Sequence, residues 1–79
     1  MKLYLLEQDQ NTGYDTYDSC VVVAADHRDA VMISPSYGEW DDMFSSWCYS
    51  PSDVTCTYLG EASADLEEGS IICASFNAG

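Results

Sequence analysis

The sequence predicts a small α+β domain: a mainly antiparallel four-stranded sheet with one or two short helices, in the order β-β-α-α-β-β. Three observations carry that expectation. Four short runs rich in apolar, β-branched or aromatic residues read as strands: KLYLLEQD at 2–9, YDTYDSCVVVAA at 14–25, VTCTYL at 54–59 and SIICASF at 70–76. The first two are separated by NTG at 11–13, a turn signal short enough to make them a hairpin. Helix signals occur only between the second and third runs, so the helices can cover one face of the sheet. At 79 residues, 47% hydrophobic and 13% aromatic, the chain is a single domain over 1–79 with a modest core, not a disordered tail.

Each element has its own warrant. The first strand begins in Leu and Tyr and ends in polar residues before the turn, where Gly13 can take a positive φ. The second strand is polar at its start and continuously apolar over residues 21–25, which marks a central strand covered on both faces. Asp26 then has the character of an N-cap, with Asp29 three residues on in an imperfect capping box. Ala30, Val31 and Ile33 can face the sheet, and Ser34–Pro35 ends this helix because the residue before proline avoids helical geometry. In SYGEWDDMFSSWCYSP, Trp40, Met43, Phe44 and Trp47 fall at i, i+3, i+4 and i+7, one face of a second short helix; the alternative is an irregular loop pinned by the two tryptophans. Glu39, Asp41 and Asp42 would lie in its first turn, where the helix dipole favours negative charge. Gly60 ends the third strand, an acidic connection EASADLEEG follows, and Gly69 turns the chain into the fourth strand.

Charge excludes more than it assigns. Fourteen Asp and Glu stand against Lys2 and Arg28, a formal net charge of −12. Direct nucleic-acid binding needs clustered cations on phosphates, and docking on an anionic membrane needs them too, so neither is expected. A basic partner is the counterpart such a surface attracts. No signal peptide is visible at MKLYLLEQDQ and no segment approaches bilayer length, so a cytoplasmic location is expected.

Chemistry finds little footing. Cys20, Cys48, Cys56 and Cys73 could form two disulfides in three connectivities, but without a secretory signal free thiols are expected. Their contexts (CVVV, WCY, TCTY and IICA) fit buried thiols, and with no CxxC pair and only His27 as histidine no zinc site is expected. His27 sits between Asp26 and Arg28 at a helix start, a solvent-exposed cap position rather than a general base. Acid pairs such as Asp41–Asp42 and Glu67–Glu68 arise at this composition without a catalytic purpose. DQNTGYDTYDS has the composition of a calcium loop, but Gly13 stands fifth from Asp9 rather than sixth. The expectation is therefore a protein that is not an enzyme and uses no cofactor or metal.

Binding has more behind it. Acids interleave with aromatics at YDTYD and YGEWDD, and acids recur in EASADLEE; carboxylates steer a basic partner while Tyr and Trp give rigid anchors. The candidate partner-binding residues are Tyr14, Asp15, Tyr17, Asp18, Glu39, Asp41, Asp42, Asp65, Glu67 and Glu68. Unbroken strand alternation would turn Tyr14, Thr16 and Asp18 to one face and Asp15, Tyr17 and Ser19 to the other, leaving one Tyr–Asp pair fully outward.

The opening frame KLYLLEQDQNTGYDTYDSCVVVAAD, a strand ending in GEA, and the closing IICASFNAG resemble a group of small acidic phage and prophage proteins. The similarity covers most of the chain, and EQDxNxGYDTYDS and ASFNAG are its most distinctive pieces. The resemblance implies a phage origin and transfers no residue roles. Small acidic phage proteins include anti-CRISPR proteins and DNA mimics, linked here by size and charge. Two readings follow. In the first, the chain is an inhibitor of a host defence system whose acids, gathered on one surface, occupy a basic nucleic-acid-binding groove of a host protein or nucleoprotein complex. In the second, it is a structural or assembly module that forms a homodimer or docks on another phage protein through tyrosines, tryptophans and a sheet edge.

Overall fold

The computed structural model describes residues 1–35 and 46–77. Four strands, β1 (Lys2–Glu7), β2 (Thr16–Ala24), β3 (Thr55–Glu61) and β4 (Ile71–Asn77), form one sheet in the order β3-β1-β2-β4, and every neighbouring pair is antiparallel. The four strands and their direction match the expectation. The apolar β2 is central, between β1 and β4, as its composition requires.

Among the described residues the helical content is smaller than expected: one α-helix, α1 (His27–Ala30), occupies one turn, and a 3-10 turn spans Pro51–Asp53. Over those residues the order β-β-α-α-β-β is corrected to two strands, one short α-helix, a 3-10 turn and two strands. Ser46 and Trp47 form a bend, and Trp40, Met43 and Phe44 of the expected second helix lie outside the described residues. Trp47 is nonetheless fully buried, so the helical spacing identified a core residue without identifying its backbone. The α1 start is as expected: Asp26 is extended and its carboxylate accepts the Asp29 N–H at 2.9 Å. The helix proper stops at Ala30, and the chain reaches Pro35 through turns in which Met32 N–H donates to Asp29 O and Ile33 N–H to Ala30 O. With four residues, α1 depends on its cap. Asp26→Ala is expected to cost about 1 kcal/mol, read as a fall of roughly 5 °C in the melting midpoint.

One face of the sheet carries the core. Tyr4 and Leu6 of β1 and Cys20, Val22 and Ala24 of β2 pack with Ala30, Trp47 and Cys48. Tyr17, Ile33, Val54, Cys56 and Ile71 close its margin. The other face is more open. Leu5, Val21 and Cys73, with Ser19 and Ser75, line a shallow groove of about 290 Å³. Val23, opposite Leu3 and outside the core cluster, is buried, at the end of the sheet where the β3–β4 connection crosses. That crossing is pinned by backbone bonds: Ala62 N–H to Met1 O, Gly69 N–H to Val23 O and Val23 N–H to Ser70 O.

Three irregularities break the ladders. Opposite β1, Leu59 is the extra residue of β3, and Gly60 follows it at φ +147°, inside the strand rather than ending it. Opposite β4, Asp18 is the extra residue of β2, and opposite β2, Ile72 is the extra residue of β4. Each bulge reverses the side-chain parity beyond it.

Candidate partner-binding surface

The two ends of the sheet differ in charge. The β1–β2 connection forms one end, and the starts of β1 and β4 with the end of β2 form the other. The nine residues of β2 hold these ends about 25 Å apart at the usual strand rise. The molecule measures 35 × 22 × 18 Å, so this separation is most of its length.

At the hairpin end the connection 8–15 is tied down by side chains. Gln8 is 8% exposed. Its Nε2 donates to the carbonyls of Asn11 and Tyr17, each at 2.8 Å, and its Oε1 accepts the N–H groups of Gln10 and Asn11, each at 2.9 Å. Both faces of this one amide are saturated, which explains how a polar side chain is tolerated at the core margin. Asn11 Nδ2 donates to Trp47 O at 2.9 Å, and Tyr17 N–H donates to Ser46 O at 2.7 Å, fastening the hairpin to the Ser46–Trp47 bend. On the other flank, Asp15 N–H donates to Asn77 O at 2.6 Å and Asn77 Nδ2 to Gly13 O at 3.2 Å. Thr16 Oγ1 also donates to Gly13 O, at 2.7 Å.

From this anchored turn Tyr14 projects with 78% of its surface exposed. Asp15 beside it takes φ +59°, a left-handed conformation that Asp tolerates better than most residues. Thus Tyr14 and Asp15 precede the strand and both point outward, while Asp18 stands exposed on its bulge. Tyr17 does not join them. It packs on the core and against Phe76, ring centroids 4.8 Å apart. Alternation placed Tyr14 and Tyr17 on opposite faces, as found, but grouped Asp15 with Tyr17 because it assumed an unbroken strand from Tyr14 onward.

Glu7, Asp9, Asp15, Asp18 and Asp53 are all exposed at this end. Glu7 closes β1, and Asp53 lies two residues before Thr55, the register partner of Glu7. Neither Lys2 nor Arg28 is near. Lys2 pairs in register with Ala24 and Glu61, and Arg28 lies in α1, which follows β2. Both cations therefore sit toward the opposite end, with Asp26, Asp29, Glu61, Asp65, Glu67 and Glu68. The expectation that the hairpin acids and those of 62–69 gather on one surface is not met: Asp65, Glu67 and Glu68 occupy the far end. There the Ser63 hydroxyl donates to Asp65, and that bond with the residue's own backbone N–H holds its carboxyl below the usual range. Glu39, Asp41 and Asp42 lie outside the described residues. Glu7 and Asp9 were missed although the expected hairpin sets them beside Asp15; Asp53 is revealed only by the register of β3 with β1.

The thiols are all free. Cys20 and Cys48 are buried, as their contexts suggested, whereas Cys56 is half-buried and Cys73 exposed. Burial, then the neighbouring Cys73 and Cys48, pushes Cys20 up to about 12, and burial raises Cys48 and Cys56 as well. These three stay protonated at neutral pH, and a thiol is a poor nucleophile. His27 is exposed at the first position of α1. Among the described residues no three metal-ligating side chains converge, and no helix is long and apolar enough to cross a membrane. Comparison with known protein families, with curated proteins and with solved structures finds no match to this chain.

Proposed function

We propose that this chain is a non-catalytic protein-binding module that docks its hairpin end on a basic surface of a partner protein. One observation carries the reading. Five exposed carboxylates and a protruding tyrosine share an end that holds neither of the chain's two cations, on a turn braced by hydrogen bonds from both flanks. Uncompensated charge accelerates encounter with a basic partner, and a rigid aromatic anchor loses little conformational entropy on docking. Bracing keeps the ordering cost of the loop outside the binding equilibrium.

The specific form of the proposal follows the resemblance to small acidic phage proteins. The partner is then a host defence protein or nucleoprotein complex, the basic surface its nucleic-acid groove, and the site of action the host cytoplasm. Carboxylates at the hairpin end stand in for phosphates, as in anti-CRISPR proteins and DNA mimics. The test is capture from bacterial lysate on the immobilised chain at about 50 mM salt, followed by a salt gradient. Basic proteins that elute as the Debye length shrinks below roughly 5 Å are the expected result. Recovery of no basic protein at low salt overturns the proposal.

A further inference from the structure

We infer that β4 is a self-pairing edge: two copies of the chain join β4 to β4 about a twofold axis and make one continuous eight-stranded sheet. The inference is independent of the hairpin end, since β4 is the outer strand next to β2 and, among the described residues, pairs with no other strand on its far side.

Charge selects the occupant. Of the four strands β4 alone has no Asp, Glu, Lys or Arg: β1 has Lys2 and Glu7, β2 has Asp18 and β3 has Glu61. The stretch without a charged side chain runs from Gly69 through β4. A chain of net charge −12 repels its own copy almost everywhere, and β4 is the strand along which two copies meet without opposing carboxylates. A basic partner gains nothing electrostatic from this edge. Natural edge strands are commonly guarded by charge or proline, and β4 carries neither. The β3 edge is guarded by the charge of Glu61, which β4 lacks; each of the two edges carries one bulge, at Leu59 and at Ile72.

The strand is also self-complementary. Ala74 is the midpoint of Ile71–Asn77 and lies in the regular ladder between the Asp18 and Ile72 bulges. An antiparallel twofold through Ala74 sets Cys73 opposite Ser75 of the partner subunit within the regular stretch, and brings Ile72, on its bulge at the margin of that stretch, toward Phe76 of the partner subunit. Ile72 and Phe76 are 46% and 47% exposed in the single chain, and aromatic with β-branched is a favourable cross-strand pair. The contact is isologous, so it closes at two copies; pairing β4 with β3 would propagate without end.

The test is sedimentation velocity from about 5 to 500 µM, at about 50 and 500 mM salt. The mass is expected to rise from 8.7 kDa toward twice that, with the dimer favoured at the higher salt because screening relieves repulsion between copies. This is the opposite salt response to partner capture. Ile72→Glu, at an exposed position, is expected to weaken the dimer at least tenfold with an unchanged far-UV spectrum. In a Cys73→Ser background, Ala74→Cys places two thiols across the axis at a Cα separation of about 4.5–5.5 Å, within disulfide range. Diamide is expected to lock that variant as a covalent dimer and to leave Thr57→Cys on β3 in the same background monomeric. A chain that stays at monomer mass throughout overturns the inference. So does a dimer that survives Ile72→Glu, or one that Ala74→Cys fails to lock.

Discussion

Trp47→Ala is expected to unfold the domain or to leave it barely folded at room temperature. Among the described residues Trp47 is the largest fully buried side chain, and it is reached from a bend rather than from a regular element. Replacing a buried tryptophan by alanine costs about 3–5 kcal/mol. A domain of 79 residues has about 4–12 kcal/mol in all, and self-repulsion of twelve uncompensated charges draws on that margin. The effect reaches the hairpin too, because Trp47 O accepts from Asn11 and the neighbouring Ser46 O accepts from Tyr17. Thermal unfolding by circular dichroism is expected to show a fall of roughly 15–30 °C or no cooperative transition. The exposed Tyr49, two residues on, is the control, and Tyr49→Ala should move the midpoint little. A Trp47→Ala midpoint within a few degrees of the parent would remove Trp47 from the centre of the core.

The second large effect concerns Gln8, whose amide makes four hydrogen bonds. Gln8→Ala is expected to cost about 2–3 kcal/mol, the net worth of several such bonds at a half-wet site. Gln8→Glu is the sharper variant, being nearly isosteric. An ionised carboxylate at this place keeps the acceptor for Gln10 and Asn11 but turns a negative oxygen toward the carbonyls of Asn11 and Tyr17. At pH 7 it is expected to be at least as damaging as Gln8→Ala. Burial and those carbonyls raise the introduced carboxyl in the folded state, so the native state holds its proton more tightly than the unfolded state. The penalty therefore shrinks as pH falls toward the unfolded carboxyl range near 4. Hydrogen exchange gives the positional readout: the amides of Gln10 and Asn11 should lose protection in Gln8→Ala and keep more of it in Gln8→Glu at low pH. Equal protection in parent and Gln8→Ala would mean that the amide does not brace the turn.

Much of the sheet was legible because its signals are local. NTG between apolar runs made the hairpin, the run at 21–25 made β2 central, and Asp26 marked the α1 cap. The misreadings come from what is not local. Three bulges reset side-chain parity, and a count of alternate residues cannot see them; Tyr17 became a candidate through the YDTYD pattern, and Gly60, read from its type as the end of a strand, lies inside β3 beside the Leu59 bulge. Helical spacing from Trp40 to Trp47 reported burial of Trp47 correctly, yet a buried tryptophan at a bend leaves the same mark. The candidate site suffered most, since charge clusters were grouped by sequence pattern. Register carries Asp65, Glu67 and Glu68 to the far end and brings Glu7 and Asp53 to Asp15.

That division makes the central claim testable at fixed net charge. In one triple variant Asp9→Asn, Asp15→Asn and Asp18→Asn neutralise the hairpin end; Asn keeps the left-handed conformation at position 15 accessible. In the other, Asp65→Asn, Glu67→Gln and Glu68→Gln neutralise the opposite end by the same amount. Affinity for the basic protein recovered from lysate is then measured by titration for the parent and both variants at one ionic strength. The hairpin variant is expected to lose at least tenfold, and the opposite variant to stay within about twofold. Equal losses in both would show that net charge alone drives association, and the assignment of the hairpin end as the docking surface would fall.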